Sequence, residues 1–421
     1  YQPGTNVPTA ISEFEFRFDR SDDDTSRVGE TGILGDVVTK TNDTQDDALA
    51  AVAWTQAVHD AGIADAWFVP AHIERGRNWY IEDFRAWKAA GPDVVFGFEG
   101  SPGHQTSSDR GFSRSRYGGT RGGVGFYSAM VGGMWDALSA EGIKWFNYAS
   151  SDDHWNWRQG GSDFYPGEFQ KNYTYIDTDA EDKIQAVFDG NRSGNSWFVM
   201  GDLIDELQFT AKSKKQTAMM GETLTVKAGD MVQIKIKVHD PNTPNNCPFD
   251  MDNMSLAQVG ISQPCNMPEL DHIDLIAGTI YGPSYQPATN FDNPMDPDVD
   301  WGNDATVIET LERHGGPDKN GYMTYVMNIK PENSMFIRLR GTNLPANVPF
   351  ETDADGNPLP DTEANDNIYT YDREYIDLES MLVDALFEGE EISTTSKLDD
   401  AAEAYADLWF MSNPIYIEVV E

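Results

Sequence analysis

"YIEDFRAWKAAGPDVVFGFEGSPGH" occupies residues 80–104. Residues 80–91 carry helical spacing and end on Gly91, a C-cap residue. Residues 93–100 form a short continuous apolar run, the mark of a strand buried on both faces. Glu99 falls where that run ends, and Gly-Ser-Pro-Gly then leads to His104. Glycine permits positive φ there, so the turn can present polar side chains closely. A helix feeding a buried strand that ends in polar residues is the unit of a parallel α/β sheet or barrel.

The same unit recurs on either side. Residues 46–62 place Leu49, Val52, Ala53, Ala57 and Val58 at helical spacing and stop at Gly62. Residues 65–72 read as a strand ending in His72, with Glu74, Arg75 and Arg77 just beyond. Residues 125–142 read as a helix, 144–154 as a strand, 181–190 as a helix and 196–201 as a strand. The strand at 144–154 ends in "SSDDH", where Asp152 and His154 lie two residues apart. On a strand, positions i and i+2 point to one side, so the carboxylate and imidazole converge. In parallel α/β folds the C-terminal strand ends form the active-site face. His72, Glu99, His104, Asp152 and His154 all fall at such ends, and imidazole nitrogen with carboxylate oxygen suits Zn, Mn or Fe. Each of these features alone also fits a turn or a solvated loop. The guanidinium forks of Arg75 and Arg77 match phosphate geometry, or else pair with neighbouring acids.

Taken together, "AHIERGR", "GFEGSPGHQ", "SSDDHW" and "GNRSGNSWFVMGDLID" resemble the later motifs of the PHP (polymerase and histidinol phosphatase) superfamily, in its secreted bacterial form with a β-rich C-terminal domain. The resemblance spans roughly residues 45–210. It implies a metallophosphoesterase on a distorted (β/α)7 barrel with two or three metal ions. His72 matches the histidine motif of the family, and Asp152 with His154 its final D-x-H. Glu99 and His104 are ligands of second rank or orienters of ligands, and Arg75 or Arg77 balances phosphate charge. The opening H-x-H and early D-H motifs of the family are absent. About four helix–strand units stand where the family has seven. The expectation is that the N-terminal part of the barrel lies upstream of Tyr1; a partly lost metal site is the other reading.

After about residue 205 the pattern changes. Residues 222–240 alternate with period two around an Ala-Gly-Asp turn, and 271–280, 322–329, 334–341 and 413–420 are further β-rich runs. Loops rich in Asp, Asn, Pro and Gly separate them, which reads as an antiparallel β-sandwich. One helix is expected at 397–411. The division is therefore 1–205, a PHP-like α/β metal-binding domain, and 206–421, a β-sandwich with acidic loops. Two of those loops offer oxygen sets for calcium: Asp296, Asp298 and Asp300, or Asp353, Asp355 and Asp361 with Asn357. Neither follows the twelve-residue EF-hand pattern. The Gly-rich stretch 116–127 lacks the Gly-Lys-Ser/Thr ending of a P-loop and reads as a flexible rim or a plain loop. His59 reads as structural or exposed, and His239, His272 and His314 carry no expected role.

Among 421 residues, 70 are acidic and 30 basic, a formal charge of −40. Such a surface repels nucleic-acid backbones and anionic membranes over any broad face. No stretch approaches a membrane span. The two cysteines, Cys247 and Cys265, are close in sequence and read either as a local disulfide or as buried free thiols. Low cysteine, abundant Trp and Tyr, and acidity read as secreted, periplasmic or cell-surface. The expected function is hydrolysis of a phosphate ester by a metal-activated water. Two alternatives stand beside it. One is a non-catalytic surface or assembly protein on a PHP-like scaffold, calcium-stabilised. The other is a calcium-dependent carbohydrate- or matrix-binding module. An upstream segment completing the barrel, or self-assembly, are the partners this reading implies. No Gly-x-Ser-x-Gly motif or cysteine nucleophile offers a rival hydrolytic mechanism.

Overall fold

The structure, a computed structural model, describes residues 7–71, 73–74, 79–102, 120–151, 164–241, 243–247, 250, 252–288, 299–313, 316–361 and 404–420. Three helices open the chain: α1 (Val7–Phe18), α2 (Gln45–Asp60) and α3 (Ile81–Ala90). Thr44 caps α2 in a capping box with Asp47, whose carboxylate accepts the Thr44 N–H at 2.8 Å. In α3 the residues Ile81, Phe84 and Trp87 recur on one face and are buried. That face closes over β1 (Gly97–Ser101), where Phe84 meets Phe98 at 5.9 Å between ring centroids.

The helix expected at 125–142 is two helices, α4 (Phe126–Ala129) and α5 (Met134–Ala140). The break has a physical cause. Gly132 takes φ +77°, and its N–H bonds the carboxylate of Asp136 at 2.8 Å. Then comes β2 (Phe146–Ala149), parallel to β1. The segment expected as a strand at 65–72 touches this layer through a single parallel bridge, Phe68 to Val95.

The next strands are β3 (Gln170–Thr174) and β4 (Ser196–Met200), joined through α6 (Lys183–Ser193). Asp182 caps α6 by accepting from Ile184 N and Gln185 N, and Gly194 at φ +72° stops it. The parallel sheet expected to continue at 196–201 does not. β4 runs antiparallel to β3 and to β13 (Trp409–Ser412), a strand from the far end of the chain. β13 also replaces the end of the helix expected at 397–411. Trp409, Phe410 and Met411 are all fully buried, and a short run that is apolar on both sides carries no period to separate helix from strand.

The remaining strands are β5 (Glu206–Ser213), β6 (Gln216–Ala218), β7 (Thr223–Lys227), β8 (Val232–His239), β9 (His272–Thr279), β10 (Thr306–Glu312), β11 (Tyr322–Ile329), β12 (Met335–Thr342) and β14 (Ile415–Val420). The short helix α7 (Met254–Gln258) lies between β8 and β9. Strands β11-β8-β5-β6 form an antiparallel four-stranded sheet, and β10-β9-β12-β13-β4-β3 form the path of an eight-stranded one. β14 joins the larger sheet beside β12 and pairs in parallel with β7. The alternation at 222–240 is thus real, but its two strands, β7 and β8, belong to different sheets. The chain is a mixed α/β protein with open sheets. Among the described residues no sheet closes into a barrel.

Two asparagines stitch the parallel layer to the large sheet. The Asn172 side chain accepts from Ala149 N at 2.9 Å and donates to Ala149 O at 2.6 Å, as a backbone neighbour would. Asn413 accepts from Asn147 N at 2.7 Å. Buried arginines tie α5 into β12. Arg338 grips Asp136 with two bonds of 2.7 and 2.8 Å and lies over the Trp135 ring at 4.8 Å. Two residues on, Arg340 holds Asp274 at 2.9 Å. Cys247 and Cys265 form a disulfide, so the free-thiol alternative falls.

Candidate functional site

Three segments run side by side in the same direction. Phe68 N donates to Val94 O at 2.8 Å and Glu99 N to Pro70 O at 2.9 Å. Phe146 N donates to Phe96 O at 2.8 Å and Ser150 N to Ser101 O at 3.0 Å. Glu99 is in register with Tyr148, and Ser101 with Ala149. The pairing of the three segments therefore stays in step as far as Pro70, Ser101 and Ser150. His72 and Asp152 each follow two residues later in sequence.

His72, Arg75, Arg77, His104, Asp152, His154, Asp296 and Asp298 lie outside the described residues. Of the expected ligands at the strand ends, Glu99 is described, and it is 6% exposed. It lines a cleft of about 350 Å³ with Trp67, Phe96, Tyr148 and Ser150. Val69, Ala71, Ala149 and Asn191 complete the lining. Burial pushes the Tyr148 hydroxyl far above its usual range, so it stays a neutral donor. It gives that hydrogen bond to Asn191 O at 2.5 Å.

Glu74 is a buried acid near the candidate site to which the sequence reading gave no role. It is fully buried, and Oε1 accepts the Tyr127 N–H at 2.6 Å, at the start of α4. Oε2 is buried and has no hydrogen-bond partner among the described residues. Gly125 makes room for it, because a Cβ there would stand 2.4 Å from Oε2. Burial pushes the Glu74 carboxyl up to about 8, and Glu99 adds to the rise. The Tyr127 N–H and the Arg121 guanidinium oppose it without cancelling it. Glu74 is therefore largely a neutral acid at pH 7, held just behind the strand ends.

The Gly-rich stretch 116–127, read as a flexible rim or a plain loop, is described from Thr120 on. Residues 120–125 are buried. Gly122 N and Gly123 N donate to the Asp361 carboxylate at 2.6 and 3.1 Å, and the Thr120 hydroxyl donates to it as well. Gly122 and Gly123 sit at φ +54° and +75°, the conformation that turns successive N–H groups toward one anion. A Cβ on Gly122 would meet Trp409 at 2.1 Å.

Asp361 is thus turned inward, away from the calcium set proposed for it. Asp353 spends its carboxylate on its own turn, accepting from Asp355 N at 2.9 Å, Asn357 N at 2.8 Å and Asn357 Nδ2 at 3.0 Å. Asp355 is exposed. Asp300 accepts from Gly302 N at 2.7 Å. Among the described residues no three His, Cys, Asp or Glu side chains gather as a metal site. His59 pairs with Asp65 at 3.2 Å, and His272 lies 2.8 Å from Asp271, both structural contacts. No helix among the described residues is long and apolar enough to cross a membrane. Comparison of the chain with protein-family models, curated proteins and solved structures finds no match.

Proposed function

We propose that this chain is a secreted, metal-dependent phosphoesterase of the PHP type. The observation that carries the reading is the parallel, in-step pairing of the three segments. Hydrogen bonds persist to Pro70, Ser101 and Ser150. The sequences that leave those ends hold His72, His104, Asp152 and His154. In parallel α/β proteins that end is where ligands and chemistry are found. On this reading the layer of residues 68–70, β1 and β2 is an arc of a PHP-like (β/α)7 barrel, and the antiparallel strands beyond it form the β-sandwich.

The donor set fits the metals. Three imidazoles with Asp152 and Glu99 suit Zn, Mn or Fe, and Glu99 stands buried at the strand end. His72, Asp152 and His154 would hold the ions, with Glu99 and His104 as further ligands or orienters. When bound, such ions polarise the phosphate, lower the pKa of a coordinated water and steady the leaving oxygen. The chain's own residues do the rest. Arg75 and Arg77 balance phosphate charge, and the cleft beside Glu99 receives the ester group. The disulfide and the acidic surface support an oxidising, extracytoplasmic compartment.

The test is elemental analysis for Zn, Mn, Fe and Ca in the purified chain, beside an Asp152→Ala/His154→Ala variant. A transition metal in the parent that is lost in the variant, with phosphatase activity lost alongside it, is the expected result. Calcium alone, unchanged by the variant, sinks the catalytic reading. It would favour instead a non-catalytic, calcium-stabilised surface role with Asp296, Asp298 and Asp300 as the oxygen set.

A further inference from the structure

The cleft at the strand ends has a character that hydrolysis of a phosphate ester does not by itself require. Trp67, Phe96 and Tyr148 line it together. The Phe96 centroid lies 5.7 Å from that of Trp67 and 6.3 Å from that of Tyr148, with interplanar angles of 75° and 77°. Two rings therefore stand steeply on either side of a third. Trp67 is braced by Phe188 at 4.5 Å, and Tyr148 is fixed through its hydroxyl on Asn191 O at 2.5 Å. Both remain half-buried, whereas Trp135, Trp145, Trp197 and Trp409 in the core are almost wholly covered. Aromatic surface that is held rigid yet left open to a cleft is pre-organised for a ligand.

We infer that this cleft binds the ester group of the substrate, and that the group is a planar aromatic ring system. The inference rests on the phosphoesterase reading for what the ring is attached to. Stacked and edge-to-face ring contacts favour aromatic over aliphatic occupants of equal size. The volume, about 350 Å³, is near the lower end for ligand sites and suits one or two rings rather than an oligomer.

The experiment titrates phenylphosphonate, methylphosphonate and benzyl alcohol into the full chain with Mn2+ by calorimetry. Phenylphosphonate is expected to bind roughly ten- to a hundred-fold more tightly than methylphosphonate. Trp67→Leu, which removes a ring, and Val69→Phe, which fills the cleft, should each bring that ratio to within about two-fold. The second variant keeps every native ring, so a lost preference with a normal unfolding curve reports on the cleft itself. Equal binding of the two phosphonates overturns the aromatic cleft and leaves the phosphoesterase reading standing. If benzyl alcohol binds as tightly as phenylphosphonate and Trp67→Leu weakens both, the cleft holds and the phosphate reading falls. Binding of none of the three overturns both.

Discussion

Glu74→Gln separates the charge of the buried acid from its shape. The substituted amide keeps an oxygen for the Tyr127 N–H, which lies 2.6 Å from Glu74 Oε1, and fits the space that Gly125 leaves. What it removes is the titration. The Glu74 carboxyl loses its proton near 8 in the folded chain and near 4.5 as an ordinary glutamate. Below 4.5 both states are protonated, and the acid's favourable contribution is fully present. Between 4.5 and 8 the unfolded chain has released the proton while the folded chain still holds it. Stability therefore falls as pH rises, and the contribution is gone once pH passes 8. The full span corresponds to about 5 kcal/mol. Urea unfolding of both proteins at intervals from about pH 5 to about pH 9 reads it, because the effect of the chain's large negative charge is common to the two and cancels in the difference. The Glu74→Gln variant should gain on the parent steadily up to pH 8, after which the difference between the two should level off. A difference that stays constant across the series would refute the argument. It would mean that the orphan Oε2 is solvated, or that Arg121 holds the carboxylate ionised throughout.

Two other perturbations test how the frame is held. Arg338→Met leaves the buried Asp136 with the Gly132 N–H but without its guanidinium, and should cost about 3–5 kcal/mol in a urea titration. Adding Asp136→Asn should recover most of that loss, whereas equal losses in the single and double variants would show that the stranded carboxylate is not its cause. Asp361→Ala removes the acceptor shared by Thr120, Gly122 and Gly123, a loss of about 2–4 kcal/mol. The Gly122 and Gly123 amides should then exchange with solvent faster than in the parent, and unchanged exchange would contradict the clamp.

The elements that could be read from the sequence were those whose signals are local. α2 carries its capping box within Thr44–Asp47, and α3 ends at the expected Gly91, whereas α6 runs on through Gly190 and stops at Gly194. β8 shows its alternation in the string of Val232, Ile234, Ile236 and Val238. What could not be read was pairing at a distance. β7 and β8 are close neighbours in sequence, yet they belong to different sheets because β14, almost 200 residues on, captures β7. The site divides in the same way. Glu99 was visible because an acid that closes an apolar strand is a local pattern. Glu74 was not, because between His72 and Arg75 it reads as a surface charge. Its burial depends on Gly125 and Tyr127, some fifty residues later. Asp353, Asp355 and Asp361 looked like a cation loop for the converse reason. Spacing alone does not say that one carboxylate will be spent on its own turn and another on a glycine pair 238 residues away.

That last contact has a consequence for the strand ends. The Gly123 carbonyl accepts the Ser101 hydroxyl at 2.9 Å, and Gly125 N donates to Gly100 O at 2.7 Å. The glycine stretch is thus the layer beside the end of β1, where Glu99 sits. One side of that layer is pinned by Asp361, and the other carries the space for Glu74. A glycine-rich segment fixed by nothing would lose a large backbone entropy on becoming ordered. Three donors on one buried carboxylate offset that cost, and they come from a residue far along the chain. The β-rich half therefore does more than follow the α/β half. It supplies the anion that orders the backbone beside the cleft. Changes near Asp361 should reach the aromatic cleft through Gly123 and Ser101 without any contact between Asp361 and a ligand.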